Sequence, residues 1–343
     1  MNPSKNPTAK NLGEHKIIQL IQEHLALMPN MPVPFGDDVS AVSIDDNHAA
    51  VLKTDMLVAK TDVPDVMTLF QAARKAIVMN VSDFASKGVQ PMAALVSLGL
   101  PADFTQKDIR EIADGLNAGA QEYGAFVIGG DTSETSDLII SIYLYGTAQK
   151  TKLMLRSGAK AGDILAVTGF FGKSTAGLRF LLGGCSASRN SKALLDAVLT
   201  PKARLVEGLA LGSCSAVSAS MDSSDGLAWT LHELARLSKV GFELDKVPVA
   251  SEVKRFAELN NLIATDLALY SGEEYELVLT VRPEKWATAT AAVESVGGQL
   301  LPIGKATEER KILLQKDGKL IPVESLGWEH FKSQVQSADP GCS

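Results

Sequence analysis

TLFQAARKAIVMNVSDFASK, residues 68–87, and the run that follows it, PMAALVSLGL, residues 91–100, decide the fold class of this chain. In the first stretch Leu69, Ala72, Ala73, Ala76, Ile77, Met79, Val81 and Phe84 recur at three- and four-residue steps, which predicts a helix. The second stretch is β-like. Working outward, Ala49, Val51 and Leu52 run into Thr54-Asp55 as a strand ending in a polar loop, and Thr105–Tyr123 reads as a helix with Thr105 as its N-cap. Phe126-Val127-Ile128 then enters a Gly-Gly-Asp turn, and Leu138–Tyr145 (LIISIYLY) is a strong strand. The order strand, helix, strand, helix, strand, strand is that of a mixed α and β domain.

Further out, Gly13–Met28 carries apolar residues on one helical face, and the prolines of MPNMPVPFGDD forbid regular structure after it. A second half begins near Thr151. It reads as strands at Ile164–Val167, Ala216–Ala219, Gly241–Leu244, Tyr275–Val281 and Leu301–Ile303, with helices at Ser174–Leu182, Pro201–Leu211, Leu227–Ser238 and Pro283–Val296. The boundary between the halves falls near 148–158. The expected layout is a flexible arm over 1–12, a first domain over 13–150, a second over 151–332 and a flexible tail over 333–343. At 343 residues the chain is long enough for two such α/β domains, each with its own core.

With 33 Lys+Arg against 40 Asp+Glu the net charge is −7, which argues against nucleic acid as a partner. No apolar run approaches the ~18 residues of a membrane span, and the N-terminal stretch lacks the apolar centre of a signal peptide, so a soluble, cytoplasmic protein is expected. Cys185, Cys214 and Cys342 are few and far apart and are expected as free thiols.

Acids recur beside Gly, Ser or Thr at predicted strand ends and turns: Gly36-Asp37-Asp38, Thr54-Asp55, Asn80-Val81-Ser82-Asp83, Gly129-Gly130-Asp131 and Asp222-Ser223-Ser224-Asp225-Gly226. Any one of them is ordinary turn or cap chemistry. As a set, isolated carboxylates from different elements suit hard divalent ions, which take oxygen ligands and substrate phosphates. Asp83 stands out, because it interrupts an otherwise apolar helix. Gly169-Phe170-Phe171-Gly172-Lys173-Ser174 holds GKS without the first Gly of a P-loop, and it reads as a strand–loop–helix turn. No GxGxxG, HExxH or GxSxG occurs, and no His pair has metal-ligand spacing.

Those acidic motifs, together with Met56-Leu57-Val58, Thr132, Arg156-Ser157-Gly158-Ala159, Leu227 and Ser271-Gly272-Glu273-Glu274-Tyr275-Glu276-Leu277, occur in an order that resembles the thiamine-monophosphate kinase family. That family belongs to the superfamily of aminoimidazole ribonucleotide synthetase and selenophosphate synthetase. The resemblance runs from about residue 13 to Phe331. It implies two α/β domains, with the N-terminal sheets of two subunits pairing into a barrel across a homodimer. The reaction it implies is ATP plus thiamine monophosphate giving thiamine diphosphate and ADP, with several Mg²⁺ ions and no protein nucleophile. Residue by residue, Asp38, Thr54, Asp55, Asp83, Asp131, Asp222 and Asp225 resemble the metal ligands. Gly130, Asp131, Arg156 and Ser224 resemble the ATP contacts, and Asp62, Glu273 and Trp328 fall at the thiamine-phosphate positions. The chain departs from the family pattern at Lys53 (Ser in many relatives), Asp62 (often His), Ala113 (often aromatic) and Tyr270-Ser271-Gly272-Glu273 (a Ser-Gly-Gly-Glu run). An ammonium is not a metal ligand, so either the Lys53 charge replaces a cation's or its carbonyl serves. The alternatives are another ATP-dependent synthetase of the superfamily, and a nucleotide-binding maturation factor, whose type relies on a C-terminal Cys tail.

Overall fold

The computed structural model describes residues 7–183, 185 and 191–331. The chain opens with α1 (Ala9–Leu12), α2 (Glu14–Gln22), the first two strands of the first sheet, β1 (Ser40–Ser43) and β2 (His48–Val58), and α3 (Ala59–Asp62). Of the arm expected over 1–12, residues 1–6 lie outside the described residues and Ala9–Leu12 form a helical turn; the tail over 333–343 also lies outside them.

The helix read from the deciding stretch is α4 (Leu69–Lys87). The Thr68 hydroxyl accepts from the Gln71 N–H, and the Gln71 side chain accepts from the Thr68 N–H, so donors left over at the first turn are satisfied. Gly88, left-handed at φ 68°, ends the helix. Nearly every side chain from Ala72 to Lys87 is buried, including Arg74, Lys75, Asn80, Ser82, Asp83, Ser86 and Lys87. A helix buried all round lies between layers. One side of α4 packs on the first sheet, α5 (Gln106–Glu122) lies alongside, and the far side meets the second domain. The approach is close at two glycines. A Cβ on Gly115 of α5 would sit 2.3 Å from the Phe70 carbonyl, and one on Gly208 would sit 2.1 Å from the Ala85 carbonyl.

The first sheet is completed by β3 (Pro91–Leu100), β4 (Phe126–Glu134) and β5 (Ile139–Gln149), in the order β1-β2-β5-β3-β4; β3 and β4 run parallel and the other pairs antiparallel. Alternation along β2 turns Ala49, Val51, Lys53, Asp55 and Leu57 towards α4, and Leu52, Thr54 and Met56 to the opposite face. That second face is open and apolar. Leu52, Tyr145 and Phe126 fall in one cross-strand row, and Tyr143 and Leu95 in the next; all are at least a third exposed. The expected Gly-Gly-Asp turn does not form. β4 runs straight through Gly129-Gly130-Asp131 as an edge strand.

The second domain holds β6 (Ile164–Val167), α6 (Lys173–Leu181), α7 (Ser191–Leu199), α8 (Leu205–Cys214), β7 (Val217–Asp222), α9 (Leu227–Ser238), β8 (Gly241–Leu244), α10 (Ser251–Leu259), α11 (Ala264–Leu269), β9 (Leu277–Val281), α12 (Trp286–Glu294), β10 (Leu301–Thr307), β11 (Ile312–Lys316) and β12 (Lys319–Pro322). Its mixed sheet runs β12-β11-β8-β10-β6-β9-β7. One apolar core joins Ile77, Val81 and Phe84 of α4 to Leu205, Leu211, Leu277 and Leu279, so the domains share buried surface. A separate core fills the second domain around Phe171, Leu231, Phe242 and Phe256. Cys214 is a free thiol but Cys185 is engaged in a disulfide, which corrects the expectation of three free thiols. Among the described residues no helix is long and apolar enough to cross a membrane.

Candidate functional site

Where α4 meets β7, carboxylate oxygens of Asp38, Asp83 and Asp222 lie within 4.8 Å of one another, and all three residues are buried. The end of the Pro-broken stretch supplies Asp38, α4 supplies Asp83, and the end of β7 supplies Asp222. β2 adds Asp55, whose own N–H donates to Asn80 Oδ1 at 2.8 Å. Hydroxyls from α4 orient the acids. Ser82 donates to Asp222 at 2.7 Å, and Ser86 to Asp38 at 2.7 Å. Among the described residues, three cations stand among these acids. Lys87 reaches Asp37 and Asp38, each at 2.7 Å, and the Ser220 carbonyl at 2.8 Å. Arg156 pairs with Asp38 through Nε and Nη2 and donates to the Gly36 carbonyl at 3.1 Å. Lys53 bridges Asp55 at 3.1 Å and Asp83 at 2.9 Å.

The electrostatics divide the acids. Burial opposes the Asp38 carboxylate, but Arg156 and Lys87 outweigh it and hold its pKa below the usual range. Burial pushes Asp83 well up; Lys53 pulls it back, and Asp222, Asp55 and Asp38 push it further. Burial and the Asp38 charge raise Asp222 to about 6, and burial with the Asp222 charge raises Asp225 to about 7. Buried acids that repel one another, all with hard oxygen donors, form a set whose charge a divalent ion such as Mg²⁺ relieves. The donor set fits that group.

The glutamates of Ser271-Gly272-Glu273-Glu274-Tyr275-Glu276 take three separate directions. Glu273, at φ 61°, donates its N–H to the Ser224 carbonyl at 2.6 Å, and its carboxylate pairs with the buried Lys75 ammonium at 2.6 Å. Lys75 also donates to the Asp62 carbonyl at 2.9 Å, so one side chain links both acids assigned to the thiamine-phosphate positions. Glu274 accepts from the Gly172 and Ser174 N–H groups at 2.7 and 3.1 Å. That carboxylate occupies the N-terminus of α6 and explains why Gly172-Lys173-Ser174 is no phosphate cradle. Gly172 precedes α6, and the Ser174 hydroxyl donates to the Gly272 carbonyl and lies against Glu274. Glu276 is held by Arg204 and by the Thr168 hydroxyl. The Trp328 backbone N–H donates to the Asp225 carbonyl at 3.0 Å and its ring lies edge-on to His330, which places it beside Ser224 and Asp225.

Three assigned residues do not converge on this cluster within one chain. Thr54 faces the open side of the sheet. Gly130 and Asp131 lie on β4, in the rows of Asp55 and Met56 but three strand spacings away, roughly 14 Å along the sheet. Asp131 shares the open face with Thr54. Residues that sequence reasoning missed are Asp37, Lys75, Ser82, Ser86 and Lys87. Asn80, Ser82, Asp83, Ser86 and Lys87 fall on one side of α4, opposite Ile77, Val81 and Phe84, so nothing in the residue pattern separates them from an ordinary wet face.

Models of the AIR synthase related proteins match the chain twice, the N-terminal domain over residues 36–148 and the C-terminal domain over residues 160–316. The thiamine-monophosphate kinase of Nitrosopumilus maritimus is 35% identical over 322 residues, which cover 94% of this chain and 99% of that protein. The thiamine-monophosphate kinase of Pyrococcus horikoshii is 37% identical over 299 residues, 87% of this chain and 91% of that protein. A solved structure described as AaThiL complexed with AMPPCP and TMP is similar with a TM-score of 0.83 and 31% identity, covering 95% of this chain and all of that one.

Proposed function

The chain belongs to the thiamine-monophosphate kinase family, within the AIR synthase related proteins, and from that premise we propose that it transfers the ATP γ-phosphate directly to thiamine monophosphate, in the cytoplasm, giving thiamine diphosphate and ADP. It is a phosphotransferase with a phosphate group as acceptor. The observation that carries the reading is the convergence of Asp38, Asp83 and Asp222 from three elements onto one buried point at the domain junction.

Asp38, Asp55, Asp83, Asp222 and Asp225 are the residues that would hold Mg²⁺. Bound Mg²⁺ screens the repulsion between two anionic substrates and neutralises charge on the transferred group. Arg156, anchored on Asp38 with its guanidinium partly exposed, adds a charge for triphosphate oxygens, and Ser224 adds a hydroxyl. Trp328 offers a face to the thiamine rings, and Asp62 and Glu273 answer the positive charge of the thiazolium. An oxygen of the acceptor phosphate attacks the γ-phosphorus, the bond from that phosphorus to the β–γ bridging oxygen breaks, and ADP leaves with the electron pair. The attacking oxygen is already ionised, so the site needs no general base.

The proposal includes a homodimer. The open apolar face of the first sheet and the unpaired β4 edge support it, since such a surface in a single chain would stay wet. Thr54, Gly130 and Asp131 lie on that face or edge, so their assigned roles depend on a second copy. Incubating the protein with Mg²⁺-ATP and thiamine monophosphate tests the function: thiamine diphosphate and ADP are expected in equal amounts. ADP without thiamine diphosphate, or no turnover, refutes it.

A further inference from the structure

Lys53 lies two residues before Asp55 on β2, so the two side chains leave the strand on the same face and meet α4 together. Its ammonium lies 3.1 Å from an Asp55 oxygen and 2.9 Å from an Asp83 oxygen, which ties a strand of the first sheet to the central helix. Asp38, the third acid of the buried cluster with Asp83, is held instead by Lys87 and Arg156. The Lys53 side chain is largely buried, at 18% exposure. A divalent ion held by Asp55 and Asp83 would compete with this ammonium, because both take carboxylate oxygens as partners. An ammonium brings one positive charge and donors only. It gathers the carboxylates but offers no open coordination position to a phosphate.

We propose that Lys53 is a resident cation of this site: its ammonium fills the position between Asp55 and Asp83 that a divalent ion would otherwise take, so the carboxylates are gathered before metal arrives and the chain binds fewer ions. The inference deepens the metal-assisted reading of the same site and rests on it. Lys53 engages Oδ1 of Asp55 and Oδ2 of Asp83, so the second oxygen of each stays available, with Asp38, Asp222 and Asp225, to exchangeable ions.

The test counts Mn²⁺ bound per chain by equilibrium dialysis, with neither nucleotide nor thiamine monophosphate present. Lys53→Ser, which removes the charge and adds an oxygen donor, is expected to bind about one more Mn²⁺ per chain than the parent protein. In EDTA it is expected to melt at a lower temperature, and Mn²⁺ restores the difference. Lys53→Arg, which keeps the charge, is expected to retain the parent stoichiometry. Equal stoichiometry in Lys53→Ser and the parent overturns the proposal. So does an extra ion in Lys53→Arg, or a Lys53→Ser chain whose melting temperature Mn²⁺ does not bring back to that of the parent. Because ions are counted without substrates, a failed kinase assay and a failed count are separate results.

Discussion

Replacing Asp225 by Asn is expected to stabilise the protein without metal and to disable it with metal, and the stabilisation should depend on pH in a defined direction. Burial and the Asp222 charge hold the Asp225 carboxyl at about 7, against an ordinary value of 3.8. Below about pH 4 both folded and unfolded chains carry it protonated, and it costs nothing. Between about pH 4 and 7 the unfolded chain releases the proton while the folded chain keeps it, so folding stability falls as pH rises. Above about pH 7 the whole cost is present, roughly 4 kcal/mol for a fully shielded carboxyl at 1.36 kcal/mol per pKa unit. Asp225 is only half-buried, and solvent screening brings the figure to about 2 kcal/mol. Asn carries no charge at any of these pH values. In EDTA at pH 8 the variant should therefore melt about 4 °C above the parent, and the gap should narrow steadily as pH falls towards 4. Added Mn²⁺ should reverse the order, because ions stabilise the carboxylate and not the amide. Thermal melts across pH, with and without Mn²⁺, measure all of this. A variant that melts no higher than the parent in EDTA at pH 8, or whose advantage is the same at pH 4.5, refutes the reasoning.

Other outcomes follow from the same geometry. Asp83→Asn should cut turnover by about two orders of magnitude or more while leaving the metal-free fold intact; an unchanged rate in the coupled ADP assay removes Asp83 from the site. Lys87→Met leaves Asp37 and Asp38 buried beside a lost charge and should cost about 3–5 kcal/mol in urea unfolding, and a cost near zero contradicts the pairing described. Leu95→Lys puts a charge in the middle of the open sheet face. Sedimentation should then show monomer, and a persisting dimer would place the subunit contact elsewhere.

Elements with one clean periodicity were legible in the sequence: α4, α5, α9, β6 and β8 lie within a residue or so of where their patterns predict them. β4 was not, because Gly129-Gly130 reads as a turn. The glycine there serves a different need, since a Cβ on Gly130 would sit 1.8 Å from the Val96 carbonyl of β3. The β11–β12 hairpin was missed although Asp317-Gly318 is a hairpin signal, and both residues take positive φ. In the site, acids beside Gly and Ser could be picked out as a set, and the family resemblance ordered them. Two of the cations could not be seen. Lys75 and Lys87 read as the wet side of a helix, and only the second domain packing over α4 makes them interior partners of Glu273 and of Asp37 and Asp38. Two-fold alternation along β2 could have separated Thr54 from Asp55, since neighbours on a strand face opposite ways.

Helix α4 belongs to the first domain by chain order, but its interior polar groups are completed by the second: Lys75 by Glu273, Ser82 by Asp222, Lys87 by Ser220. The consequence concerns divisibility. A fragment ending near residue 150 would carry a full sheet with α4 and α5 packed on it, yet α4 would present unmatched charges beside apolar surface that Leu205 and Leu277 had covered. Two units that look modular along the chain therefore cannot be expressed, exchanged or melted one at a time, and the protein should unfold in a single step.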